Sequence, residues 1–520
     1  MNTFKQIVLK VLIIVTLCMG LIGAPASAAP APLHIHPQLM KLAQQQPHQM
    51  ERVILMIQPG SADDLAIILQ RWGSRVVNEL KMIHALTVET PAWTTLKLAA
   101  LPQVRWVTPD AAVIEANCRD CWRTNRLRSI YPQAIGATRL WERPTYLRGQ
   151  GVRVALLDSG YGEHLDLRLD RSRRSELRVQ GVNLTDSDTA LDRFGHGTHV
   201  AGVIGGNGNA SKWAYMGVAP EVSLESVKVC GDDGACLTSD VIEGLQWIYD
   251  HGHDLGIRVV NLSINSEIEE SYHTNPLCAA LEVLWFNGFV VVVSAGNSQG
   301  TPLHPPANDP FVITVGAVDD QGTVTIADDI LSSFSAYGTT LDGAVKPDLV
   351  APGRDLVSLL SSHDSVLARE HPDHIIASRT PAWSDYFRMS GTSMSAAVVA
   401  GAAALLMQDE PGLNPDQVKY RLMSTAAKGD RWPAYDPLQA GAGYLDIYAA
   451  VYGTSLETAN TGQMISQLLW SEEDWANWGS VNWGSVNWGS VNWGSVNWGS
   501  VNWGSVNWGS VNWGSDYWEP

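Results

Sequence analysis

Three segments of this chain each carry one polar residue among small and apolar neighbours. Asp158 lies in LLDSG, His196 lies in GHGTHVAG and Ser393 lies in GTSMSAAVV. A serine hydroxyl is a weak nucleophile unless a base takes its proton, and a neutral imidazole suits that role near neutral pH. A carboxylate fixes the tautomer of the imidazole and stabilises the imidazolium that forms. The sequence therefore predicts acyl transfer, with Ser393 as nucleophile, His196 as base and Asp158 as the partner of the base.

A fourth residue, Asn297 at the end of VSAGN, supplies a further group that acyl transfer needs. The tetrahedral intermediate carries negative charge on an oxygen, which hydrogen-bond donors placed in advance stabilise. We expect the amide of Asn297 and the backbone N–H of Ser393 to be these donors. The almost uncharged run from Ser393 to Met407 predicts a helix buried on all sides, with the nucleophile at its N-terminus.

The elements that must hold these residues are apolar strands separated by helical patterns. Four near-continuous apolar runs occupy 152–158, 222–229, 257–264 and 289–296. Such runs fit parallel strands that are covered on both faces, and their alternation with helices predicts a doubly wound, mostly parallel α/β sheet. Ligand sites in these sheets lie at the carboxyl ends of the strands, which is where Asp158 and Asn297 fall.

The rest of the chain divides by composition. Residues 1–28 read as a secretory signal peptide, since Lys5 and Lys10 precede an apolar run that ends before Ala26-Ser27-Ala28. The run is about 12 residues long, short of the ~20 that a membrane-spanning helix needs. We expect a secreted, extracellular or cell-surface protein without a transmembrane segment in its mature form.

Between the signal peptide and the α/β domain we expect three parts. The Ala-, Pro-, Gln- and His-rich interval 29–50 is typical of a linker, and 51–115 shows a β-α-β-α-β pattern that predicts a small α+β domain. The interval 116–144 has little periodicity and is expected to be a junction. The α/β domain is then expected over 145–455, followed by a linker and repeat tail over 456–520.

Charge and cysteine content exclude other classes of protein. Lys and Arg number 35 against 53 Asp and Glu, a net charge of −18, so a nucleic-acid partner is not expected. Six cysteines in 520 residues exclude a disulfide-dense scaffold. Cys230 and Cys236 bracket a short loop and are the expected disulfide. Cys118 and Cys121 form a CxxC pair without nearby partners for zinc, which leaves free thiols or a small bridge.

Together these segments resemble the subtilase family of secreted serine endopeptidases. Asp158, His196 and Ser393 follow one another in the order that subtilisins use. Five more segments fall in the family's order: HLDL (164–167), NLSI (261–264), PPANDPFVITVGAV (305–318), SSFSAYG (332–338) and KPDLVAPG (346–353). The resemblance implies a subtilisin-like fold and polypeptide substrates. It also implies that 51–115 is a propeptide, which acts as an intramolecular inhibitor until the precursor is processed within 116–130.

The resemblance further implies a set of substrate-binding residues and one metal ligand. The substrate residues form two walls: Leu262, Ser263, Ile264 and Asn265 on one side, and Ser294, Ala295 and Gly296 on the other. The family usually has two glycines where this chain has Asn265-Ser266, so its usual preference for large apolar residues is in doubt. Asp166 matches a calcium ligand of the family, with ordinary loop capping as the alternative. His199, without a HExxH glutamate, is expected to be structural.

The C-terminal tail repeats one short sequence. Asn-Trp-Gly-Ser occurs eight times between residues 477 and 515, usually as VNWGS. One interpretation is a flexible low-complexity tail. The other is an adhesive module whose evenly spaced indoles bind carbohydrate or the cell surface. The second interpretation gives an alternative function, a surface-binding or assembly protein in which proteolysis serves only for maturation.

Overall fold

The computed structural model of the chain describes residues 34–115, 129–142, 146–169, 176–378 and 382–469. The expected signal peptide, the Cys118–Cys121 pair and the repeat tail lie outside these residues. Within the described part, no helix is both long and apolar enough to cross a membrane.

The N-terminal unit is a four-stranded antiparallel sheet with three helices. Its elements are α1 (Pro37–Gln45), β1 (Met50–Ile57), α2 (Ala62–Arg71), β2 (Arg75–Leu80), β3 (Ala85–Pro91), α3 (Ala92–Leu98) and β4 (Val104–Pro109), and the strand order is β2-β3-β1-β4. Leu55 and Val88 from the sheet pack with Leu65 and Leu98 from the helices in a core of their own. The α+β arrangement agrees with the pattern predicted for 51–115.

The linker expected over 29–50 is wrong for the part that forms α1. Pro37 begins this helix, the side chain of His36 accepts a hydrogen bond from the backbone N–H of Gln38, and Leu39 is buried in the core of the N-terminal unit. Burial against the sheet stabilises the helix, and this tertiary contact is not visible in the Gln-rich composition.

The larger domain contains the remaining elements. Its strands, of which the first follows directly on the N-terminal unit, are β5 (Ala112–Glu115), β6 (Arg153–Asp158), β7 (Val179–Asn183), β8 (Ser223–Lys228), β9 (Cys236–Leu237), β10 (Ile257–Leu262), β11 (Ile264–Ser266), β12 (Val290–Ser294), β13 (Ile313–Asp319), β14 (Ile330–Leu331), β15 (Gly338–Thr339), β16 (Val345–Lys346), β17 (Leu349–Pro352), β18 (Leu356–Leu359), β19 (Ile375–Ile376) and β20 (Tyr386–Met389). Its helices are α4 (Tyr131–Ala134), α5 (Ala137–Leu140), α6 (His196–Gly205), α7 (Thr238–Leu255), α8 (Pro276–Phe286), α9 (Val366–Glu370), α10 (Thr392–Asp409), α11 (Pro415–Ser424), α12 (Pro437–Ala440) and α13 (Ile447–Tyr452).

The central sheet of this domain has the order β14-β13-β12-β10-β6-β8-β7, with β17 beside β13. All its neighbouring strands are parallel except β13 and β14. Helices α6 and α10 pack on each other and on the sheet, and α7 and α8 form a second packed pair. Helix α10 is buried from Thr392 to Met407, as its uncharged sequence predicts. The doubly wound, mostly parallel fold is confirmed.

The end of the described chain is folded rather than a linker. The backbone N–H of Ser466 donates to the buried carboxylate of Glu282 at 2.8 Å, and Leu468 lies in the core of the large domain. Asn460 also donates to Asp416 at 2.8 Å. The linker expected from residue 456 is therefore wrong for these residues. Their partners, Glu282 and Asp416, lie far away in the sequence, so the local composition does not indicate these contacts.

Candidate active site

Asp158 and His196 lie side by side at the carboxyl end of the central sheet. Asp158 is the last residue of β6 and His196 the first residue of α6. The His196 Nδ1 atom is 2.8 Å from one carboxylate oxygen of Asp158 and 3.1 Å from the other, and both side chains are buried. A Cβ atom on Gly197 would lie 2.3 Å from the Gly160 carbonyl oxygen, so only glycine lets α6 approach β6 this closely.

A second aspartate, which the sequence analysis missed, holds the start of α6 in place. One carboxylate oxygen of Asp192 accepts hydrogen bonds from the N–H and hydroxyl of Thr198, and the other accepts from the N–H of Gly195. The Ser159 hydroxyl lies 2.9 Å from Asp192 and 3.2 Å from Asp158. Asp192 thus positions the helix that carries His196. Its only sequence signal is an acidic residue shortly before a helix N-terminus.

Ser393 is the second residue of the buried helix α10. Its Oγ atom donates to the backbone carbonyl of Ser263 at 3.2 Å, and the Ser263 hydroxyl donates to the backbone carbonyl of Ser393 at 3.2 Å. Ser263 lies between β10 and β11. The two reciprocal hydrogen bonds join the first turn of α10 to the strand segment predicted to bind substrate.

Asn297, just beyond β12, contacts the residue before Ser393. Its Oδ1 atom accepts from the backbone N–H of Thr392 at 3.0 Å and from the Thr392 hydroxyl at 3.1 Å. These two hydrogen bonds fix the orientation of the side-chain amide of Asn297. The Nδ2 atom is buried and has no hydrogen-bond partner within the described part of the chain. A donor is therefore fixed beside the start of α10 and is available for another acceptor.

One predicted substrate wall contributes strand β11 to a short antiparallel sheet of three strands, β11-β5-β9. In this sheet Ile114 is opposite Asn265 and Glu115 is opposite Ile264, while Val113 pairs with Cys236 on the other side. Leu262 ends β10, and Ser294 ends β12 ahead of Ala295 and Gly296. A disulfide between Cys230 and Cys236 ties β9 to the preceding loop and confirms the pairing expected from the sequence. Cys278 is a free, buried thiol.

The N-terminal unit also contacts helix α7 through Asp110. One carboxylate oxygen accepts from the backbone N–H of Ser239 at 2.8 Å, and the other accepts from the Ser239 hydroxyl at 2.6 Å and pairs with Arg52 at 2.8 Å. The backbone N–H of Thr238 donates to the carbonyl of Ala111 at 2.9 Å. Asp110 and Ala111 together satisfy donors at the N-terminus of a helix in the other unit.

The groups around Asp166 do not fit a calcium ion. Its two carboxylate oxygens accept hydrogen bonds from the backbone N–H of Ala210 at 2.6 Å and from the Tyr386 hydroxyl at 2.7 Å. The Arg178 guanidinium donates to the backbone carbonyls of Asp166 and Gly205 at 2.8 and 2.7 Å. Burial lowers the pKa of Arg178 to about 10, so this side chain stays charged at neutral pH. Donors of the chain itself thus bind both carboxylate oxygens, and the charged Arg178 lies where it would repel a second cation, which favours the loop-capping alternative.

His199 is structural, as expected. Its Nε2 atom donates toward the backbone carbonyls of Leu356 and Phe387 at 3.2 and 3.1 Å. Burial, with a smaller effect from His196, lowers the pKa of His199 to about 3, so the ring stays neutral. Across the described residues, no group of three or more His, Cys, Asp and Glu side chains is arranged to hold a metal ion.

Two family models match the chain. The subtilase family model matches residues 149–444, and a pentapeptide-repeat model matches eight copies over 476–515. "Serine protease AprX" of Bacillus subtilis (strain 168) is 36% identical over 350 residues, which cover 65% of this chain and 75% of the relative. "Alkaline protease" of Alkalihalobacillus alcalophilus is 29% identical over 382 residues, covering 73% and 84% of the two chains.

Among solved structures, fervidolysin from Fervidobacterium pennivorans, a keratinolytic enzyme related to subtilisin, superposes with a TM-score of 0.58 at 23% identity. The match covers 79% of this chain and 62% of that chain, and at this identity it concerns the fold. The subtilase match alone spans more than half of the 520 residues. The chain therefore belongs to the subtilase family and is a subtilisin-like serine endopeptidase.

Proposed function

We propose that the protein is a secreted endopeptidase made as a self-processing precursor, with Ser393 as nucleophile. The observation that carries the proposal is strand β5, which lies between β9 and β11. Its last residue, Glu115, is opposite Ile264, which follows the residue that contacts Ser393. A segment of the chain itself thus pairs, by strand addition, with one of the two walls that a peptide substrate would use.

The proposed reaction uses the groups at the sheet edge in sequence. His196 takes the proton of Ser393 as its Oγ atom attacks the scissile carbonyl, while Asp158 holds the Nδ1–H tautomer of His196. The oxyanion accepts hydrogen bonds from Asn297 Nδ2 and the backbone N–H of Ser393. His196 then gives its proton to the leaving amine, and water hydrolyses the acyl-enzyme by the reverse steps.

The N-terminal unit is proposed to be the inhibitory propeptide. Two contacts hold it on the larger domain. Strand β5 fills the substrate position, and Asp110 caps helix α7. Secretion is supported by the predicted signal peptide and by the Cys230–Cys236 disulfide, because such bridges persist in oxidising compartments. Binding of the repeat tail to carbohydrate or a cell surface stays a prediction. The subtilase match over 149–444 supports proteolysis, and not surface binding, as the main function.

The register of β5 predicts where the precursor is cut. The backbone carbonyl of Ser263 is 3.2 Å from Ser393 Oγ, and the residue opposite Asn265 is Ile114. In an antiparallel pair, the residue opposite Ser263 comes two positions after the one opposite Asn265. This rule assigns the attacked carbonyl to residue 116, so we expect N-terminal sequencing of the exported, processed protein to begin at Asn117. A mature N-terminus upstream of Ala112 would contradict the proposal, because β5 would then remain attached.

Replacing Asn297 with alanine should lower kcat by about 10²–10³-fold with little change in KM, the loss measured for the equivalent role in a subtilisin. The reason is that Nδ2 contacts the oxyanion in the transition state and not the bound peptide. Steady-state hydrolysis of a peptide by processed enzyme measures the effect. Ser298→Ala, at the next and more exposed position, is the matched control and should keep full activity. An Asn297→Ala enzyme with wild-type kcat would rule out the oxyanion role.

Replacing Asp110 with alanine should weaken inhibition by the N-terminal unit. Loss of a helix cap costs about 1–2 kcal/mol, which is about tenfold in a dissociation constant. In the full-length protein, we expect the delay between processing and the appearance of peptide hydrolysis to shorten. Asp64→Ala, at an exposed site on α2, is the control and should keep the delay. An unchanged delay in the Asp110 variant would mean that the cap does not contribute to inhibition.

A further inference from the structure

Two walls lie next to the nucleophile: strand β11 with Ser263 before it, and the segment that follows β12. Ser263, on one wall, contacts Ser393, and Asn297, on the other, contacts Thr392. We call the substrate residue that supplies the scissile carbonyl the acyl residue. It is opposite Ser263, two positions from the residue opposite Asn265, so its side chain and that of Asn265 lie on the same face of the sheet.

The side chain of Asn265 reaches from one wall to the other. Its Nδ2 atom donates to the backbone carbonyl of Ser294 at 2.9 Å, and its Oδ1 atom accepts from the Ser294 hydroxyl at 3.2 Å. Asn265 is 6% exposed and Ser294 is fully buried. The two hydrogen bonds fix both groups of the amide, so the side chain forms a bridge between the two walls.

Gly296 and Ala336 lie next to the bridge. Gly296 has a φ of +107°, and a Cβ atom on it would lie 3.6 Å from both Asn265 Oδ1 and the Cβ atom of Ala336. These are ordinary van der Waals distances. A single carbon atom at this place would thus already be in contact with both Asn265 and Ala336.

We propose that Asn265 determines specificity. Its side chain occupies the place between the two walls where the side chain of the acyl residue would enter, and so admits only small acyl residues such as alanine, glycine and serine. A phenylalanine or leucine would have to displace the amide, breaking both hydrogen bonds and leaving buried groups of Ser294 without partners. The inference rests on the proposed function, because it takes Ser393 as the nucleophile. It concerns the substrate class and not the chemistry.

The test compares two peptides that differ only in an alanine or a phenylalanine as the acyl residue. Processed wild-type enzyme should have the higher kcat/KM for the alanine peptide. Asn265→Gly should raise the phenylalanine-to-alanine ratio of kcat/KM by at least about tenfold, as expected when a steric block in a pocket is removed. Ser266→Gly is the matched control, because neighbouring residues of a strand point to opposite faces, so the Ser266 side chain lies away from the acyl residue. Its hydroxyl accepts from the N–H of Ile268 at 3.1 Å, and the ratio should stay at the wild-type value.

A wild-type preference for phenylalanine, or an Asn265→Gly variant with an unchanged ratio, would overturn the inference. Titration of active enzyme with a fluorophosphonate corrects every rate for inactive protein. Asn265→Ala gives the same readout if the glycine variant does not fold. Failure of the proposed function is distinguishable, because wild-type enzyme would then hydrolyse neither peptide and take up no fluorophosphonate. Hydrolysis with the opposite preference would remove only the role of Asn265.

Discussion

Replacing Ser393 with alanine is expected to leave the exported precursor at full length and to abolish peptide hydrolysis. Loss of the nucleophile in a subtilisin lowers kcat by about 10⁶-fold, the largest effect expected for any single change in this chain. Alanine removes only the Oγ atom, which donates to the Ser263 carbonyl, so the buried helix α10 should keep its packing. Intact-mass measurement of the exported protein and an assay with a peptide substrate give the two readouts.

The matched control is Ser395→Ala, two residues further along the same helix. The Ser395 hydroxyl donates to the backbone carbonyl of Ala351 at 3.0 Å and has no part in the proposed chemistry. Its loss should cost about 0.5–1.5 kcal/mol of stability and leave processing intact. A Ser393→Ala precursor that still shortens to the mature mass, in a host without a protease that cuts it, would contradict self-processing.

Replacing Asp158 with asparagine is expected to have the second largest effect, a drop in kcat of about 10⁴-fold, the loss known for this change in another serine protease. In the wild-type protein, a carboxylate oxygen of Asp158 accepts from the backbone N–H of Ser159 at 2.8 Å. The asparagine amide keeps an oxygen for this hydrogen bond, so the local structure should survive. It would, however, present an N–H group to His196 Nδ1. The imidazole would then carry its proton on Nε2 and could not act as the base.

Peptide hydrolysis per mole of folded enzyme measures this loss, with near-ultraviolet circular dichroism to confirm the fold. Asp188→Asn, an exposed aspartate of the same domain, is the control and should keep wild-type kcat. An Asp158→Asn enzyme with kcat within a few-fold of wild type would show that His196 does not depend on this carboxylate.

The elements that carry the site were predictable because their signals are local. Strand β6 and helix α10 are apolar runs, and Asp158 and Ser393 lie at their ends, where a parallel sheet presents its ligand site. The disulfide between Cys230 and Cys236 was predictable for the same reason, since its two cysteines bracket one short loop.

The features that could not be predicted depend on contacts between distant residues. Asp192 positions the start of α6 by accepting four hydrogen bonds from donors that only the fold brings together. Helix α1 and the segment around Ser466 are folded because they pack on surfaces far away in sequence. Asp166 matches a calcium ligand by sequence, but Tyr386, more than two hundred residues later, occupies one of its oxygens.

The central claim is that Ser393 is the activated nucleophile, and the most direct test is to locate the adduct of a fluorophosphonate on the processed protein by mass spectrometry. The probe phosphonylates only a serine whose proton a base removes, so the account predicts one adduct, on Ser393. Labelling should be lost in Ser393→Ala and kept in Ser395→Ala. An adduct on a different serine, or hydrolysis by a preparation that takes up no probe, would contradict the assignment.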